Sequence, residues 1–143
     1  MSAPVFTKVT MAEMVARNKK ESDKPIIGIS FDYRYEVDAE GKIDTSKATY
    51  FEFLLKAYTE CLGRVGAELY IIAPAQKVAE LGHLDGLIIP GGRDMHARYY
   101  GQEMRKETKY EVESDMHFER NKLLYQGLVC PVMTVCWGTQ FIN

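Results

Sequence analysis

Leu84-Asp-Gly-Leu-Ile-Ile-Pro-Gly-Gly-Arg-Asp94 is the stretch that decides the fold, because a short apolar run ends abruptly at a proline and two glycines. Residues 84–89 have the length and composition of a β-strand buried on both faces, as in a parallel sheet. In an open parallel sheet, ligands bind at the carboxyl ends of the strands. The turn Pro90-Gly91-Gly92 therefore lies where a functional site is expected, although an ordinary strand-ending turn would use the same residues.

Three further runs on either side of this stretch also have the composition of buried strands, at residues 26–30, 69–73 and 129–135. Helical patterns separate the runs, at residues 45–65, 76–81 and 114–125. Thr45 or Ser46 is the predicted cap of the first helix, Gly66 is its predicted stop, and residues 31–44 are predicted to be a loop. Strands that alternate with helices predict an α/β domain with a parallel sheet and right-handed crossover connections.

Length and composition limit the chain to one compact domain. The 143 residues are 46% apolar and carry a formal net charge of −2, which suits a single core. We expect residues 1–24 to form an N-terminal extension, with a short helix in Met11-Ala-Glu-Met-Val-Ala-Arg17, and residues 25–143 to form the domain. The last predicted helix has room for only about two turns, so we interpret residues 25–143 as the N-terminal part of a domain that is incomplete at its C-terminus.

Charge and cysteine content exclude several classes of function. Charged residues make up 27% of the chain with both signs mixed, so neither a nucleic-acid footprint nor a membrane-surface patch is predicted. No apolar run is long enough for a transmembrane helix or a secretory signal. Three cysteines give no disulfide framework, and we expect a reduced, cytoplasmic protein without a metal or cofactor.

Val132-Met-Thr-Val-Cys-Trp-Gly-Thr-Gln140 places a cysteine between a buried strand and the start of a helix. A nucleophile on such a turn projects above the edge of the sheet, and the N–H of the next residue faces the charge that develops during attack. The helix N-terminus also favours thiolate over thiol. Cys136 is therefore the predicted nucleophile, whereas Cys61 and Cys130 are predicted to be small buried hydrophobes.

Four segments in one consistent order resemble the class I glutamine amidotransferase superfamily, and within it the γ-glutamyl-γ-aminobutyrate hydrolase-like branch, peptidase family C26. They are Lys24-Pro-Ile-Ile-Gly-Ile-Ser30; Tyr58 with Val65-Gly66-Ala67 and Ile71-Ile72; residues 84–94 with Tyr100-Gly101; and Asp115, Phe118-Glu119, Pro131, Cys136, Gly138, Gln140 and Asn143. The resemblance covers about residues 24–143. It implies a flavodoxin-like open parallel sheet with helices on both faces.

The resemblance also implies a reaction and the residues that carry it. Cys136 is expected to form a γ-glutamyl thioester from glutamine or a γ-glutamyl conjugate. The backbone N–H groups of Gly92 and Trp137 are expected to form the oxyanion hole.

The resemblance further implies residues that bind the substrate. Gln140 is expected near the bound glutamyl group, and Tyr58, Asp94 and Glu119 match recurrent substrate-binding positions. Each of the last three has a structural alternative, namely a buried aromatic ring, a turn-stabilising carboxylate and a charge on a helix face.

The chain departs from the family pattern around the two turns. Thr134 stands where the elbow usually has its first glycine, and a β-branched residue is expected to crowd this junction. Trp137 stands where this branch more often has arginine, and Ala97 where proline is common. The change at Trp137 removes a positive charge beside the thiolate but leaves the backbone N–H in place.

The family's activating base is the other departure. In the family a histidine and its carboxylate partner lie downstream of the elbow as His-x-Glu, and this chain ends seven residues after Cys136. His83 precedes a predicted strand at the wrong end of the sheet, and His117 is predicted to be solvated. His96, just past the glycine turn, is the only predicted substitute base.

Two further functions are compatible with the sequence. A truncated or diverged relative would act as a binding module, which Thr134, Trp137 and the missing His-x-Glu favour. A flavodoxin-like nucleotide or phosphate binder shares the fold class, but Gly91-Gly92 is not a Gly-x-Gly-x-x-Gly fingerprint. The expected partners are a small γ-glutamyl substrate and either a second copy of the chain or the missing C-terminal part, with no nucleic acid and no membrane.

Overall fold

The computed structural model describes residues 6–10, 23–108 and 111–143, and these residues form two β-sheets and three α-helices. The strands are β1 (Phe6–Thr10), β2 (Ile26–Ile29), β3 (Arg34–Val37), β4 (Ile43–Phe51), β5 (Glu68–Ile71), β6 (Gly86–Ile89) and β7 (Val132–Thr134). The helices are α1 (Glu52–Arg64), α2 (Val112–Gly127) and α3 (Trp137–Ile142), with short 3-10 turns at Val78–Leu81 and Ala97–Tyr100.

Four parallel strands in the order β5, β2, β6, β7 form the main sheet, which confirms the predicted flavodoxin-like α/β fold. All four predicted strands are present, each shorter than its apolar run. Ile29 of β2 lies opposite Ile71 of β5 and Ile88 of β6. The chain places β5 on one side of β2 and β6 on the other, so the carboxyl ends of β2 and β6 form the switch point at which such sheets bind ligands.

Side chains of the parallel strands alternate between two apolar layers. Ile29 belongs to the layer that packs against Leu55 of α1. Ile89 belongs to the opposite layer, which packs against Leu124 of α2 and Trp137 of α3. Because helices cover both faces, the strands are continuous apolar runs rather than alternating ones.

The second sheet corrects the prediction for residues 31–65. β3 and β4 pair antiparallel in the region predicted to be a loop and the start of a helix, and β1 pairs with the other side of β4. Thr45 and Ser46, the predicted helix caps, lie within β4, and α1 begins only at Glu52. Strands on both sides supply hydrogen-bond partners for the β4 backbone. The helical spacing of the apolar residues after β4 does not reveal this pairing.

Part of the predicted N-terminal extension is strand β1. Phe6 lies opposite Phe51 of β4, and Thr10 lies opposite Lys47, so the pairing runs along the full length of β1. The helix predicted for residues 11–17 lies outside the described residues.

Helix α1, which follows β4, ends as predicted, because Gly66 adopts a φ of 77° just beyond its last turn. The next helix, α2, begins two residues earlier and ends two residues later than the predicted range of 114–125. No helix in the described part of the chain combines the length and the hydropathy needed to cross a membrane.

Candidate active site

Cys136 joins β7 to α3 with an unusual backbone conformation, φ 51° and ψ −112°. Among the non-glycine residues that the structure describes, only Cys136 has a positive φ. Such a conformation costs on the order of 1–3 kcal/mol and persists only where the surrounding structure imposes it. The side chain is exposed, at the carboxyl end of a parallel strand. The geometry is that of a nucleophile elbow.

Gly138 explains how α3 can follow the elbow so closely. A Cβ atom at this position would stand 2.2 Å from the carbonyl oxygen of Ile89 in β6. That oxygen already accepts the N–H of Val135 at 3.0 Å, so it cannot move away without breaking the pairing of the two strands. The glycine is therefore required by the close approach of α3 to the sheet.

Trp137 points its side chain inward, away from solvent, with 1% of its surface exposed. Its ring stacks on Phe141 with centroids 5.3 Å apart and contacts the ring of His117 at 4.3 Å. Tryptophan at this position therefore serves as a core residue that anchors α3. As the first residue of α3, Trp137 has a backbone N–H without an acceptor inside the helix.

The glycine turn after β6 lies beside the thiol. A Cβ atom built on Gly91 would stand 3.4 Å from the Cβ and 3.9 Å from the Sγ of Cys136. Gly92 lies one residue further, against Asp32, whose Cβ and Oδ2 atoms would be 2.9 and 3.0 Å from a Cβ on Gly92. The structure therefore brings together the elbow and the predicted oxyanion turn, with Gly91 as the immediate neighbour of Cys136.

Asp32 and Arg93 form an ion pair at the switch point, between the segment after β2 and the glycine turn. Arg93 donates its backbone N–H to Oδ2 of Asp32 at 2.7 Å, its Nε–H to the same oxygen at 2.9 Å, and an Nη2–H to Oδ1 at 2.7 Å. The two side chains are only 9% and 10% exposed. Burial alone would raise the pKa of Asp32, but the hydrogen bonds from Arg93 and the nearby positive charges hold it below its ordinary value.

No role for either residue of this pair was predicted from the sequence. The available signal was the occurrence of opposite charges directly after the two central strands of a parallel sheet, because the carboxyl ends of such strands meet at one edge. Arg93 also extends the network outward, since its Nη1–H donates to Oε2 of Glu111 at 2.8 Å. Glu111 caps the N-terminus of α2 and lies 3.5 Å from Arg34 of β3, so the network reaches the second sheet.

Tyr58 lies on the α1 side of the elbow. Its ring packs against Phe31 with centroids 6.1 Å apart. Burial raises the pKa of Tyr58, and the nearby Cys136 and Cys61 thiols raise it further. Of the predicted substrate-binding residues, Tyr58 is thus within electrostatic range of Cys136.

Asp94 and Gln140 line a groove with a volume of about 640 Å³. Its wall includes four aromatic side chains, namely Tyr99, Tyr100, Phe118 and Phe141. Cys136 does not line this groove, but Gln140 lies one turn after it on α3 and donates its N–H to the Cys136 carbonyl at 3.3 Å. Glu119 is exposed on α2, close enough for its charge to contribute, after burial, to the raised pKa of Tyr99.

The prediction that His117 is solvated is wrong. His117 is 5% exposed, faces the core from α2 and lies within hydrogen-bond distance of the Asn121 amide, at 3.1 Å. Burial lowers the pKa of His117 to about 4, and the charge of Asp32 only partly opposes this effect. Trp137 of α3 covers His117, so the burial of this histidine cannot be predicted from the sequence of α2 alone.

The other two histidines have different surroundings. His83 is exposed and packs against the ring of Tyr70 with centroids 4.8 Å apart, at the end of the sheet away from the elbow. His96 caps the 3-10 turn at Ala97–Tyr100, because its Nδ1 accepts the N–H of Arg98 at 3.1 Å. This contact uses one ring nitrogen of the predicted substitute base to hold a turn.

The remaining cysteines differ from each other. Cys61 is exposed, contrary to its predicted burial, because it lies on the outer side of α1. Cys130 is partly buried against the α2–α3 layer, and burial raises the pKa of its thiol. Within the described residues, no group of three or more His, Cys, Asp and Glu side chains could hold a metal ion.

Comparison with known proteins gives one family. The model of the family described as Peptidase C26 matches residues 25–143. That range includes the parallel sheet, the glycine turn and the elbow. A search of curated proteins gives no significant match.

Proposed function

Because the chain belongs to the peptidase C26 family, we propose that it is a cysteine hydrolase or amidotransferase acting on γ-glutamyl amides. Membership in this family supports cysteine-type hydrolysis in general. The observation that carries the proposal is the position of Cys136, which is exposed on a strained turn between β7 and α3 and lies against Gly91. An exposed thiol held in this way is available to a substrate carbonyl from above the sheet.

In the proposed reaction, the thiolate of Cys136 adds to the side-chain amide carbonyl, forming a C–S bond and an oxyanion. The backbone N–H groups of Gly92 and Trp137 donate to that oxygen. Collapse of the intermediate breaks the C–N bond, a proton goes to the departing amine, and a γ-glutamyl thioester remains on Sγ. Water then adds to the thioester carbonyl, and the products are the free γ-carboxylate and the thiol.

The proton for the departing amine requires a general acid. His117 is a poor candidate, since it is buried and its pKa is lowered to about 4. We propose that a histidine of the His-x-Glu kind, which the family resemblance implies, supplies this proton. Without such a base the thiol of Cys136 is expected to remain a fair nucleophile, because sulfur is intrinsically nucleophilic, but turnover is expected to be slow.

The proposed substrate site combines residues of α1, α2 and α3 with Asp94 after the glycine turn. Gln140 and Asp94 share the groove beside the elbow, and we propose that they bind the glutamyl part of the substrate. Tyr58 is proposed to approach the substrate from the α1 side, where it is within electrostatic range of Cys136. Glu119, exposed beside Tyr99, is proposed to act at the outer rim of the groove.

Selective labelling tests this proposal. The chain is incubated with a glutamine-analogue electrophile, and each cysteine-containing peptide is quantified by mass spectrometry. We expect one equivalent of label on Cys136 and little on Cys61, which is a matched control because its thiol is also exposed. The Cys136→Ser variant should take up almost none. Equal labelling of Cys61 and Cys136 would contradict the proposal.

A second candidate function is an interaction module, and the outer surface of the main sheet favours it. In the described sheet, β7 has a neighbour only on its β6 side, and Met133 in β7 is 56% exposed. Val129 before this strand and Leu123 on α2 are also exposed. Unpaired strands with apolar flanks bind other chains. We propose that this edge receives a second copy of the chain or a further part of the domain.

Analytical ultracentrifugation tests this second candidate. Concentration-dependent association that Met133→Lys reduces would support it, because a charge on the edge strand opposes strand addition. The exposed Glu60→Gln substitution on α1 is a suitable control. A wild-type chain that stays monomeric at all concentrations would count against the interaction module.

A further inference from the structure

We propose that the Asp32–Arg93 ion pair is a positioning device that holds the Gly91–Gly92 turn in the geometry needed to stabilise an oxyanion. This inference rests on the proposed function, because it concerns the same reaction at the same site. Neither side chain is expected to touch the substrate. Both act through the backbone of the turn, so they are positioning residues.

The turn needs an external anchor because it contains two adjacent glycines. Glycine populates a wide range of φ and ψ, so the peptide unit between Gly91 and Gly92 has little intrinsic preference for one orientation. An oxyanion donor is effective only when it already points to the place where charge develops. Whatever fixes the orientation of this peptide unit therefore contributes to the rate of the chemical step.

Asp32 supplies the anchor through the backbone as well as through the side chain. Its Oδ2 accepts the backbone N–H of Arg93 at 2.7 Å, which fixes the peptide unit immediately after Gly92. Its Cβ and carboxylate also occupy the space that a side chain on Gly92 would need, at 2.9 and 3.0 Å from the position of a Cβ there. Asp32 thus lies against two successive residues, Gly92 and Arg93.

The carboxylate is itself held in place by the guanidinium group. Arg93 binds it through Nε and Nη2 at 2.9 and 2.7 Å, a side-on fork that fixes the plane of the carboxylate. The same Nη2 donates to the carbonyl of Tyr33 at 2.8 Å, and Nη1 donates to Glu111 at 2.8 Å. Because these partners belong to the segment after β2 and to the cap of α2, the turn cannot shift without breaking several bonds at once.

Two alkylating reagents separate positioning from folding. A glutamine-analogue chloromethyl ketone develops negative charge on its carbonyl oxygen when the thiolate adds, whereas iodoacetamide reacts by displacement and leaves its carbonyl uncharged. The second-order rate of each is measured at Cys136 in the full chain, with Cys61 as an internal reference. Asp32→Asn keeps the shape of the side chain but removes its charge. We expect it to slow the ketone about tenfold, less than the loss of a whole oxyanion donor, and to leave the iodoacetamide rate unchanged.

Arg93→Lys provides a second variant that retains a positive charge but loses the fork. It should give the same selective loss, smaller in size, and it keeps the test usable if Asp32→Asn does not fold. Glu60→Gln, which removes one charge from an exposed pair on α1, should leave both rates as in the wild type.

The possible outcomes distinguish this inference from the proposed function. If the wild-type chain shows no preference of the ketone for Cys136 over Cys61, the proposed function fails and the inference with it. If the wild type shows the preference and both variants retain it, the proposed function stands and the positioning role is wrong. Equal slowing of both reagents would also overturn the positioning role, because it would indicate general damage to the elbow.

Discussion

The two turns that meet at Cys136 are held in place by different forces. The elbow is fixed by packing, with Trp137 buried beneath it and the backbone of α3 in contact with Ile89 through Gly138. The glycine turn is fixed by charge, through the nearly buried pair of Asp32 and Arg93. The strained elbow is therefore supported by a packed core, whereas the glycine turn, whose backbone is flexible, is held by an ion pair.

This difference predicts how each turn responds to acid. Asp32 has a lowered pKa in the folded protein, so its contribution to stability is complete above the pKa of the unfolded chain, about 4. That contribution is lost as the pH falls through the lower, folded value. The elbow side responds at higher pH, because His117, whose ring contacts Trp137, has its pKa lowered by burial to about 4. The packing around Trp137 should therefore lose stability below about pH 6.5, and the glycine turn only below about pH 4.

Gly138→Ala is the most severe way to break the elbow side of this comparison. The added Cβ would overlap the carbonyl oxygen of Ile89 at 2.2 Å, and backbone atoms on both sides leave no room for a small shift. We expect a loss of about 3 kcal/mol in the free energy of unfolding, measured by urea denaturation.

Gly63→Ala is the matched control, because Gly63 is exposed in α1 and has no atom within 4 Å of its would-be Cβ. There the same substitution should stabilise the protein by up to about 1 kcal/mol, as alanine does in helices. Similar destabilisation by both substitutions would mean that the contact with Ile89 is not what restricts position 138.

His117→Gln tests the place where the two sides meet, because its ring contacts Trp137 and its protonated form lowers the pKa of Asp32. The pKa of His117 is lowered to about 4 in the folded protein. Below about pH 6.5, His117 therefore binds a proton in the unfolded chain but not in the folded protein. Stability should be complete above pH 6.5 and fall by about 2 kcal/mol between pH 7 and pH 5. Glutamine has no such titration.

Urea denaturation at the two pH values checks this expectation. In His117→Gln the difference between pH 7 and pH 5 should largely disappear, whereas His83→Gln, at an exposed histidine, should retain the wild-type difference. A His117→Gln variant with the wild-type pH dependence would show that another group is responsible.

Cys136→Gly should stabilise the protein while removing its nucleophile. Glycine adopts a φ of 51° without the penalty paid by a residue with a Cβ atom, and the exposed thiol contributes little packing. The greater freedom of glycine in the unfolded chain offsets part of the gain, so we expect a net increase of about 1 kcal/mol. Cys136→Ser, which keeps the Cβ, should show no such increase. Equal stabilities for the two variants would mean that the elbow is not strained.

The main sheet and the elbow could be predicted from the sequence because their signals are local. Four apolar runs, the Gly91–Gly92 turn and the glycine after Cys136 each occupy a few adjacent residues. A strand buried on both faces has a continuous apolar sequence, which can be recognised without knowing which strand it pairs with. The right-handed crossover rule does not by itself determine the order of the strands, in which β6 lies beside β2 rather than beside β5.

The second sheet and the ion pair could not be predicted in this way, because their partners are distant in sequence. β4 contains residues that suit a helix cap, and only its pairing with β1 and β3 makes it a strand. Asp32 and Arg93 are separated by 61 positions, and the residues adjacent to each give no local signal that the two will pair. The same holds for His117, whose burial depends on Trp137 arriving from α3.

Thr134→Val examines the smallest contact on the elbow side, at the position where the family usually has glycine. The hydroxyl of Thr134 lies 3.1 Å from that of Thr139 in α3, so the β-branched residue bridges the strand and the helix across the turn. Valine keeps the shape and removes the hydrogen bond, which is partly exposed to water, so we expect a loss of about 0.5 kcal/mol. Thr139→Val should cost a similar amount, and the double variant should cost little more than either, as groups that share one bond do in a double-mutant cycle. Additive losses in urea denaturation would mean that the two hydroxyls do not interact. The threonine at position 134 would then have no stabilising role at the elbow.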